Sequence, residues 1–272
     1  EKKLLDKGIK KNELGRDKFI NEVWNWKKES GDQILNQLKK LGCSCDWSRN
    51  RFTMDKDLSK AVIKTFVQLY KERIIYKDRK LVNWDTKLET AISDLEVEQR
   101  EVQSNLYYIK YKIDETDDYL TIATTRPETM LGDTAVAVNP IDERYKKYVG
   151  KKALVPIVDR KVKIVSDKYV SIEQGSGALK VTPAHDFNDF DIGKRHKLEF
   201  INIFEKNGKL NSSVPKNLIG LDRFEARKEI VKLLKELNLL EKIENIKNSV
   251  PYGDRSNSII EPLLTEQWFV DA

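Results

Sequence analysis

The first hundred residues carry apolar side chains at the spacing of an α-helix. They recur every three or four positions between residues 17 and 42, where Gly42 is a typical helix stop, and again between residues 55 and 75. The apolar positions are Phe19, Val23, Trp26, Ile34, Leu38 and Leu41 in the first run, and Leu58, Val62, Phe66 and Leu69 in the second. We predict one helix for each run and a mainly helical stretch over residues 1–100.

From about residue 103 to 205 the pattern changes to short, alternating apolar runs. Gly, Pro, Asn and Asp separate these runs, as is typical of strands joined by turns. The predicted strands are 106–113, 119–125, 133–138, 152–158 and 177–182. An amphipathic helix over 221–240 follows, and 242–256 returns to extended structure. We therefore predict the α+β class, with a compact, barrel-like β-rich domain.

Composition narrows the class of protein further. The chain has 272 residues, of which 39% are hydrophobic, so it can bury a core. The 50 basic and 44 acidic side chains, a net charge of +6, fit either an ordinary solvated surface or one that faces nucleic acid. We see no membrane-spanning run and no signal-peptide pattern, and we expect a cytoplasmic protein. Because the chain starts at Glu1 and stops within an apolar pattern, we expect a fragment of a longer protein.

Two cysteines lie close together, Cys43 and Cys45. A zinc site would need a second pair of ligands, and both histidines are far away in the sequence. We predict buried, inert thiols.

Both histidines of the chain fall within one stretch, ALKVTPAHDFNDFDIGKRH. Lys180 and Thr182 lie on one face of the predicted strand at its start. A short helix follows, and it places Asp186 and Asp189 on one face. The two carboxylates either cap this helix or border a pocket for an α-amino group, whereas His196 is expected only to complement the helix C-terminus. We expect no metal, since a cation would need more oxygen ligands and the lysine would repel it.

A second motif, TIATTRPETMLGDTAVAV, combines hydroxyl and charged side chains. Thr125 and Glu128 have the spacing of a capping box, so a structural and a functional interpretation both stay open for them. Arg126 and Thr129 are not needed for capping. Beside a helix N-terminus they could bind a phosphate, a ribose or an ester oxygen.

Five blocks, in this order, resemble those of the valyl-tRNA synthetases, a family of class I aminoacyl-tRNA synthetases. They are GCSCDWSRNRFTMD, LVNWDTKLETAISDLEVE, TTRPETMLGDTAVAV, GSGALKVTPAHDFNDFDIG and GDRSNSIIEPLLTEQWFV, which together extend over essentially the whole chain. Leucyl enzymes typically carry Met where this chain has Lys180. Isoleucyl enzymes usually have T-T-T-P-W-T, and G-H-G in place of Ala184-His185-Asp186. The resemblance implies that 101–249 is an inserted, β-barrel-like editing domain, and that 1–100 and 250–272 belong to a Rossmann-type catalytic domain.

The resemblance also implies roles for the residues of the two motifs. Asp186 would anchor the α-ammonium of a mischarged amino acid. The adenosine and ester end would be shaped by Arg126, Glu128 and Thr129, and the amino acid pocket completed by Lys180, Thr182 and Asp189. The predicted catalytic residues are Asp186, Lys180, Thr182 and Thr129, and the predicted substrate-binding residues are Thr124, Thr125, Arg126, Glu128, Asp189, His185 and Gln174. Gln174 departs from the family, which more usually has an aromatic residue there, and this bears on stacking of the terminal adenine.

The implied activity is hydrolysis of mischarged Thr-tRNA(Val). A pocket that accepts valine rejects isosteric threonine only weakly, a limit for which valyl enzymes are the usual example, and a second, polar pocket corrects it. The expected partner is the 3′ CCA end of tRNA(Val), bound by a monomer without membrane contact. Editing would need no cofactor. ATP and Mg²⁺ would serve only the full-length enzyme, because blocks of the H-I-G-H and K-M-S-K-S type are missing from this sequence.

Two alternative functions stay open at this point. The first is a catalytically inert tRNA-binding or structural module of the same enzyme. The second is an unrelated metal-dependent hydrolase built on His185 and Asp186.

Overall fold

The computed structural model describes residues 2–271, apart from the side chain at position 12. It divides into two units, Glu1–Lys71 and Glu72–Ala272. The first unit is helical, with a short 3-10 helix at Trp47–Arg49. Its α-helices are α1 (Lys2–Leu5), α2 (Lys11–Leu14), α3 (Arg16–Ser30), α4 (Gln33–Lys40) and α5 (Lys56–Lys71).

The helix predicted over 17–42 is in fact two helices. Gly31 and Asp32 separate α3 from α4, because a Gly-Asp pair favours a turn over a continued helix. The predicted stop at Gly42 is confirmed. Its φ of +79° lies in the left-handed region, and the next amide donates back to the carbonyl of Leu38 at 3.2 Å.

The cysteine prediction is wrong. Cys43 and Cys45 are both exposed, in a loop that directly follows the turn at Gly42. Small apolar side chains are usually buried, but this loop has no helix or strand that would carry them into a core.

The described part of the second unit contains ten strands and two α-helices, α6 (Phe187–His196) and α7 (Arg223–Glu236). The strands are β1 (Ile75–Asp85), β2 (Thr90–Ile92), β3 (Val97–Ile113), β4 (Tyr119–Thr124), β5 (Ala135–Val138), β6 (Lys152–Val155), β7 (Arg160–Ser166), β8 (Ala178–Val181), β9 (Leu240–Gly253) and β10 (Glu261–Val270). All five predicted strands between 103 and 205 are confirmed, and β7 was not predicted. The helix predicted over 221–240 and the extended return after it are confirmed as well.

A small antiparallel sheet has the order β10-β1-β2. Its main pairing runs from Ile75 opposite Val270 to Trp84 opposite Glu261. The prediction of a mainly helical stretch up to residue 100 is therefore wrong beyond Lys71. Strand β1 owes its structure to a partner from the far end of the sequence, which local periodicity does not reveal.

The larger sheet has the order β4-β3-β6-β7-β5-β8, and β9 pairs with β3. Strands β3 and β9 form a long antiparallel ribbon, with Val97 opposite Gly253 at one end and Ile109 opposite Leu240 at the other. One face of the sheet buries the main core, which α7 and a 3-10 helix at Pro127–Gly132 complete. Among its fully buried side chains are Ile109, Ile113, Leu120, Ile122, Met130, Leu131, Ile203, Ile230 and Leu234.

The α+β class with a β-rich domain is thus confirmed. The functional boundaries predicted at residues 101 and 249 stay predictions; the ribbon begins at Val97 and ends at Gly253, close to both. In the part of the chain that the structure describes, no helix combines the length and the apolar character needed to cross a bilayer.

Candidate functional site

The two motifs of the sequence meet at one small cavity of about 160 Å³ in the second unit. The end of β4 and the following 3-10 helix form one side, and β8 with the start of α6 forms the other. Its lining consists of Ala123, Thr124, Thr125, Arg126, Thr129, Tyr169, Leu179, Lys180, His185, Asp186, Asn188 and Asp189. Eight of the predicted site residues are in this lining; Thr182, Glu128 and Gln174 are not.

Lys180 is held in place by a buried polar network. Its Nζ donates to Oγ1 of Thr182 at 2.6 Å and lies 3.6 Å from Oδ1 of Asp133. The Thr182 hydroxyl donates in turn to Oδ1 of Asp133 at 2.5 Å, and the hydroxyl of Tyr111 donates to Oδ2 at 2.7 Å. Thr182 therefore supports the lysine from behind the cavity. With two hydroxyl donors and one cation, the buried carboxylate is fully engaged.

Asp133 and Tyr111 were missed by the sequence reasoning. Burial raises the pKa of Asp133, while the charge of Lys180 acts in the opposite direction. A signal for Asp133 was present, since it is a charged residue at the start of the predicted apolar strand 133–138. Nothing in the periodicity of β3 distinguishes Tyr111 from its neighbours.

Asp186 is the N-cap residue of α6. Its Oδ1 accepts from the amides of Asn188 at 2.8 Å and Asp189 at 3.1 Å, which confirms the capping interpretation. Both hydrogen bonds use the same oxygen. The side chain also lines the cavity, so capping and ligand binding are compatible for this residue.

Asp189 is buried one turn further along the helix. Its Oδ2 accepts from the amide of Thr182 at 2.8 Å, which joins α6 to the end of β8. Burial, aided by the neighbouring charge of Asp186 and opposed by Lys180, raises the pKa of Asp189 to about 7. This carboxyl therefore takes up a proton at a higher pH than an ordinary aspartate does.

Arg126 belongs to the first motif, and its side chain contacts the second. Its Nη1 donates to the carbonyl of His185 at 2.9 Å, and its amide donates to Oγ1 of Thr124 at 3.1 Å. Thr129 donates from Oγ1 to the carbonyl of Arg126 at 3.0 Å. The two threonine hydroxyls thus stabilise the backbone on either side of the arginine.

The predicted capping box is absent from this motif. The 3-10 helix begins at Pro127, and its N-cap position is occupied by Arg126 and not by Thr125. Glu128 is instead fully buried and binds Arg227 of α7 with two hydrogen bonds, at 2.6 and 2.7 Å. Proline at the first helical position moved the helix start by one residue relative to the capping-box register.

The His185 side chain is buried and makes structural contacts with the protein. The ring is fully buried, its Nε2 accepts from the amide of Ile203 at 3.0 Å, and it packs edge-on against Phe204 at 4.7 Å. Burial, helped by the charge of Arg126, lowers the pKa of His185 to about 3. A neutral ring that accepts through Nε2 carries its proton on Nδ1.

Gln174 and His196 lie outside the cavity. Gln174 is exposed. The next residue, Gly175, has a φ of +61°, and Ala123 in the cavity wall lies so close to it that a Cβ at this position would clash. His196 ends α6 and contacts Oδ2 of Asp167 through Nε2 at 2.9 Å. Among the described residues there is no group of three His, Cys, Asp or Glu side chains placed to hold a metal ion.

A larger cavity of about 600 Å³ adjoins the small one. The two share Thr125, Arg126 and Asp186 in their linings. The larger cavity adds basic, aromatic and amide side chains, among them Arg223, Arg227, Phe187, Phe224, Tyr252, Gln103 and Asn248. Together these residue types suit a nucleotide, which offers a charged phosphate and a flat base.

A family profile described as tRNA synthetases class I (I, L, M and V) matches residues 1–272. This chain belongs to that family. It is 68% identical over 272 residues to a valine–tRNA ligase of Pelagibacter ubique, with 100% of this chain and 31% of the relative covered. A valine–tRNA ligase of Bradyrhizobium diazoefficiens is 55% identical over 282 residues, covering 96% of this chain and 29% of the relative. The resemblance to valyl enzymes is thereby confirmed, for a chain that spans about a third of the length of these curated relatives.

Among solved structures, a ternary complex of Agrobacterium radiobacter K84 agnB2 LeuRS with tRNA and LeuAMS is similar with a TM-score of 0.42 and 16% identity. The match covers 83% of this chain and 36% of that chain.

The buried histidine of this class I synthetase chain makes its stability depend on pH. The pKa of His185 is about 3 in the folded state and near 6.5 when unfolded, so the stability that the neutral ring provides is lost as pH falls from 6.5 towards 3. Gln at this position cannot titrate and keeps an acceptor for Ile203. When the pH is lowered from 7.5 to 4.5, we expect the free energy of unfolding of His185→Gln to fall by about 2–3 kcal/mol less than that of the unsubstituted chain.

Urea unfolding at both pH values, with hydrogen exchange of strand amides to follow the second unit, measures this difference. Asp189 titrates with the opposite sign, since its pKa is raised, and its contribution is common to both proteins. An equal loss of stability in the two proteins would contradict the assignment of a buried, neutral ring.

Proposed function

We propose that this chain is the part of a valine–tRNA ligase that hydrolyses threonyl esters of tRNA(Val). The single observation that carries the proposal is the cavity itself. It brings the ammonium of Lys180, which is held by Thr182 and Asp133, next to the carboxylates of Asp186 and Asp189. A small site with a fixed cation and two acids offers partners for an α-ammonium, a hydroxyl and an ester carbonyl.

The α-ammonium of the ester is assigned to Asp186. The N-cap bonds of this residue use Oδ1, so Oδ2 is the oxygen that we assign to the ligand. A carboxylate fixed by two backbone amides does not need to reorganise when the ammonium arrives. Asp186 would thus orient the amino acid as well as attract it.

Selection of threonine over valine is assigned to the polar floor of the cavity. Lys180 and Asp189 are buried, and their remaining hydrogen-bonding capacity would be left unpaired by the methyl group of valine. An unpaired buried polar group costs about 1–3 kcal/mol, and this selection against valine would add to the selection that a hydrophobic pocket makes at the activation step.

The reaction is the addition of water to the ester carbonyl. The water oxygen bonds to the carbonyl carbon, the bond from that carbon to the ribose oxygen breaks, and the proton released by the water ends on the ribose oxygen. Placement of both reactants can supply much of the reduction in barrier. ATP and Mg²⁺ belong to the activation of valine by a full-length enzyme, and we propose no part for them here.

The terminal adenosine is assigned to the larger cavity. Because the two cavities share Thr125, Arg126 and Asp186, an ester that projects into the small one would leave its nucleoside in the large one. Volumes of several hundred Å³ are usual for ligands of this size. Arg126 would then lie at the junction, beside the ribose.

Deacylation of threonyl- and valyl-tRNA(Val) by the chain tests the proposal directly. We expect hydrolysis of the threonyl ester, unchanged by a chelator, and little hydrolysis of the valyl ester. Binding of the tRNA without hydrolysis would instead identify an inert tRNA-binding module. Activity that a chelator abolishes would point to a metal-dependent hydrolase.

A further inference from the structure

Arg126 is held by groups from three different parts of the second unit. Besides the carbonyl of His185, its guanidinium contacts the carboxylates of Glu128, at 3.8 Å, and Glu261. Both carboxylates are buried, whereas the arginine side chain keeps 27% of its surface exposed at the junction of the two cavities. The arginine is therefore the ligand-facing member of this cluster, and the acids lie behind it.

Glu261 is the first residue of β10, in the segment that the sequence assigned to another domain. Strand β10 pairs with β1 in the small sheet and has no part in the larger sheet around the cavity. Its carboxylate is also 3.5 Å from Nε of Arg223, a side chain that donates to Thr86 at 2.9 Å. Glu261 thus ties Arg126 to the small sheet.

The two carboxylates beside Arg126 do not hold it equally. Arg227 already engages both oxygens of Glu128, which leaves that acid little capacity for a second arginine. Glu261 makes the closer contact with Arg126. Charge-assisted contacts to buried carboxylates are among the strong hydrogen bonds of proteins, so the loss of this one would release the guanidinium.

We infer that Glu261 is a positioning residue for Arg126, and that the functional hydrolytic site extends beyond residue 249 into β10. The inference rests on the proposed function where activity is measured, but the placement of the arginine can be measured without it. Glu261 lines the larger cavity, but its carboxylate is engaged by Arg126 and Arg223. It acts by keeping the guanidinium at the junction of the cavities.

A double-mutant cycle on the whole chain tests this inference. We expect Glu261→Gln to lower kcat/KM for threonyl-tRNA deacylation by about tenfold or more, as for loss of a charge-assisted hydrogen bond. In an Arg126→Gln background the same substitution should have no further effect. An equal loss in both backgrounds would overturn the inference, because Glu261 would then act independently of Arg126.

The matched control is Glu266→Gln, on the same strand as Glu261. It removes an exposed ion pair with Lys77 of β1 and should leave kcat/KM unchanged. Proton exchange at the Arg126 guanidinium, followed by NMR on ¹⁵N-arginine-labelled protein, gives a readout that needs no activity. We expect slow exchange in the parent and fast exchange in Glu261→Gln, with Glu261→Asp intermediate. Exchange that is unchanged in Glu261→Gln would refute the positioning role, whereas an inactive parent with slowly exchanging Arg126 would refute only the proposed function.

Discussion

Asp186→Asn is expected to slow hydrolysis of threonyl-tRNA at least about 30-fold while the protein stays folded. The substitution removes the charge that pairs with the substrate ammonium, and loss of one partner of a buried charge pair typically costs 2 kcal/mol or more. Asparagine caps helices about as well as aspartate, so the hydrogen bonds to the amides of Asn188 and Asp189 can be kept. Single-turnover deacylation, together with thermal unfolding, measures both effects.

The chain provides a matched control for the capping role. Asp222 caps α7 through the amide of Phe224 at 2.9 Å and is in neither cavity lining. Asp222→Asn should leave deacylation unchanged. Asp186→Ala should lose the cap as well, with about 1 kcal/mol of stability. Near-normal turnover by a folded Asp186→Asn protein would mean that another group binds the ammonium.

Lys180→Met is expected to narrow the difference in hydrolysis rate between threonyl and valyl esters by about tenfold. The variant keeps the length of the side chain but removes the donor that we assign to the threonine hydroxyl, and one such hydrogen bond is worth about 1–2 kcal/mol. The threonyl reaction should slow and the valyl reaction should change little. Parallel kinetics with both esters measure the ratio. If both reactions slow equally, Lys180 acts in catalysis or structure and not in selection.

The same substitution also has a structural cost that can be separated from selection. It leaves the buried carboxylate of Asp133 with its hydroxyl donors, Tyr111 and Thr182, but without a cation. Loss of one partner of a buried pair typically costs about 3–5 kcal/mol. Adding Asp133→Asn should recover much of this stability but not the discrimination. A double variant that recovers both would show that the lysine matters only as a counter-charge.

Much of the fold follows from local sequence, and the exceptions have a common cause. Strands β4, β5 and β8 are short apolar runs between turn residues, and α7 is a clear amphipathic helix, so pattern alone predicts them. Strand β1 was missed because its sequence, IYKDRKLVNWD, is polar and depends on β10 for its structure. Pairing between distant segments is invisible to a window of ten or twenty residues.

The residues of the candidate site also fall into two groups: those that local sequence predicts and those that depend on contacts between distant segments. Lys180, Asp186 and Asp189 could be proposed from spacing, because a strand and a helix each place alternate or third residues on one face. Tyr111 and Glu261 could not, since each reaches the site through tertiary packing, and Asp133 had only the signal of a charge at the start of an apolar strand. The capping box failed on a local detail: Pro127 begins the helix one residue later than the motif suggests. For this chain, the sequence predicted eight residues that line the small cavity and the supporting residue Thr182, but not Asp133, Tyr111 or Glu261.

The ribbon of β3 and β9 leaves Val97 directly opposite Gly253, and β1 with β10 repeats the arrangement with Ile75 opposite Val270. A segment whose two ends are neighbours can be gained or lost by its host in a single genetic event, since the remaining backbone has almost no gap to close. The same geometry permits circular permutation: a short linker from 253 to 97 would allow new termini in an exposed turn such as the one after Ile113. A permuted module of this kind would still lack Glu261, so the hydrolytic activity that we propose would depend on whether a strand equivalent to β10 were included with it.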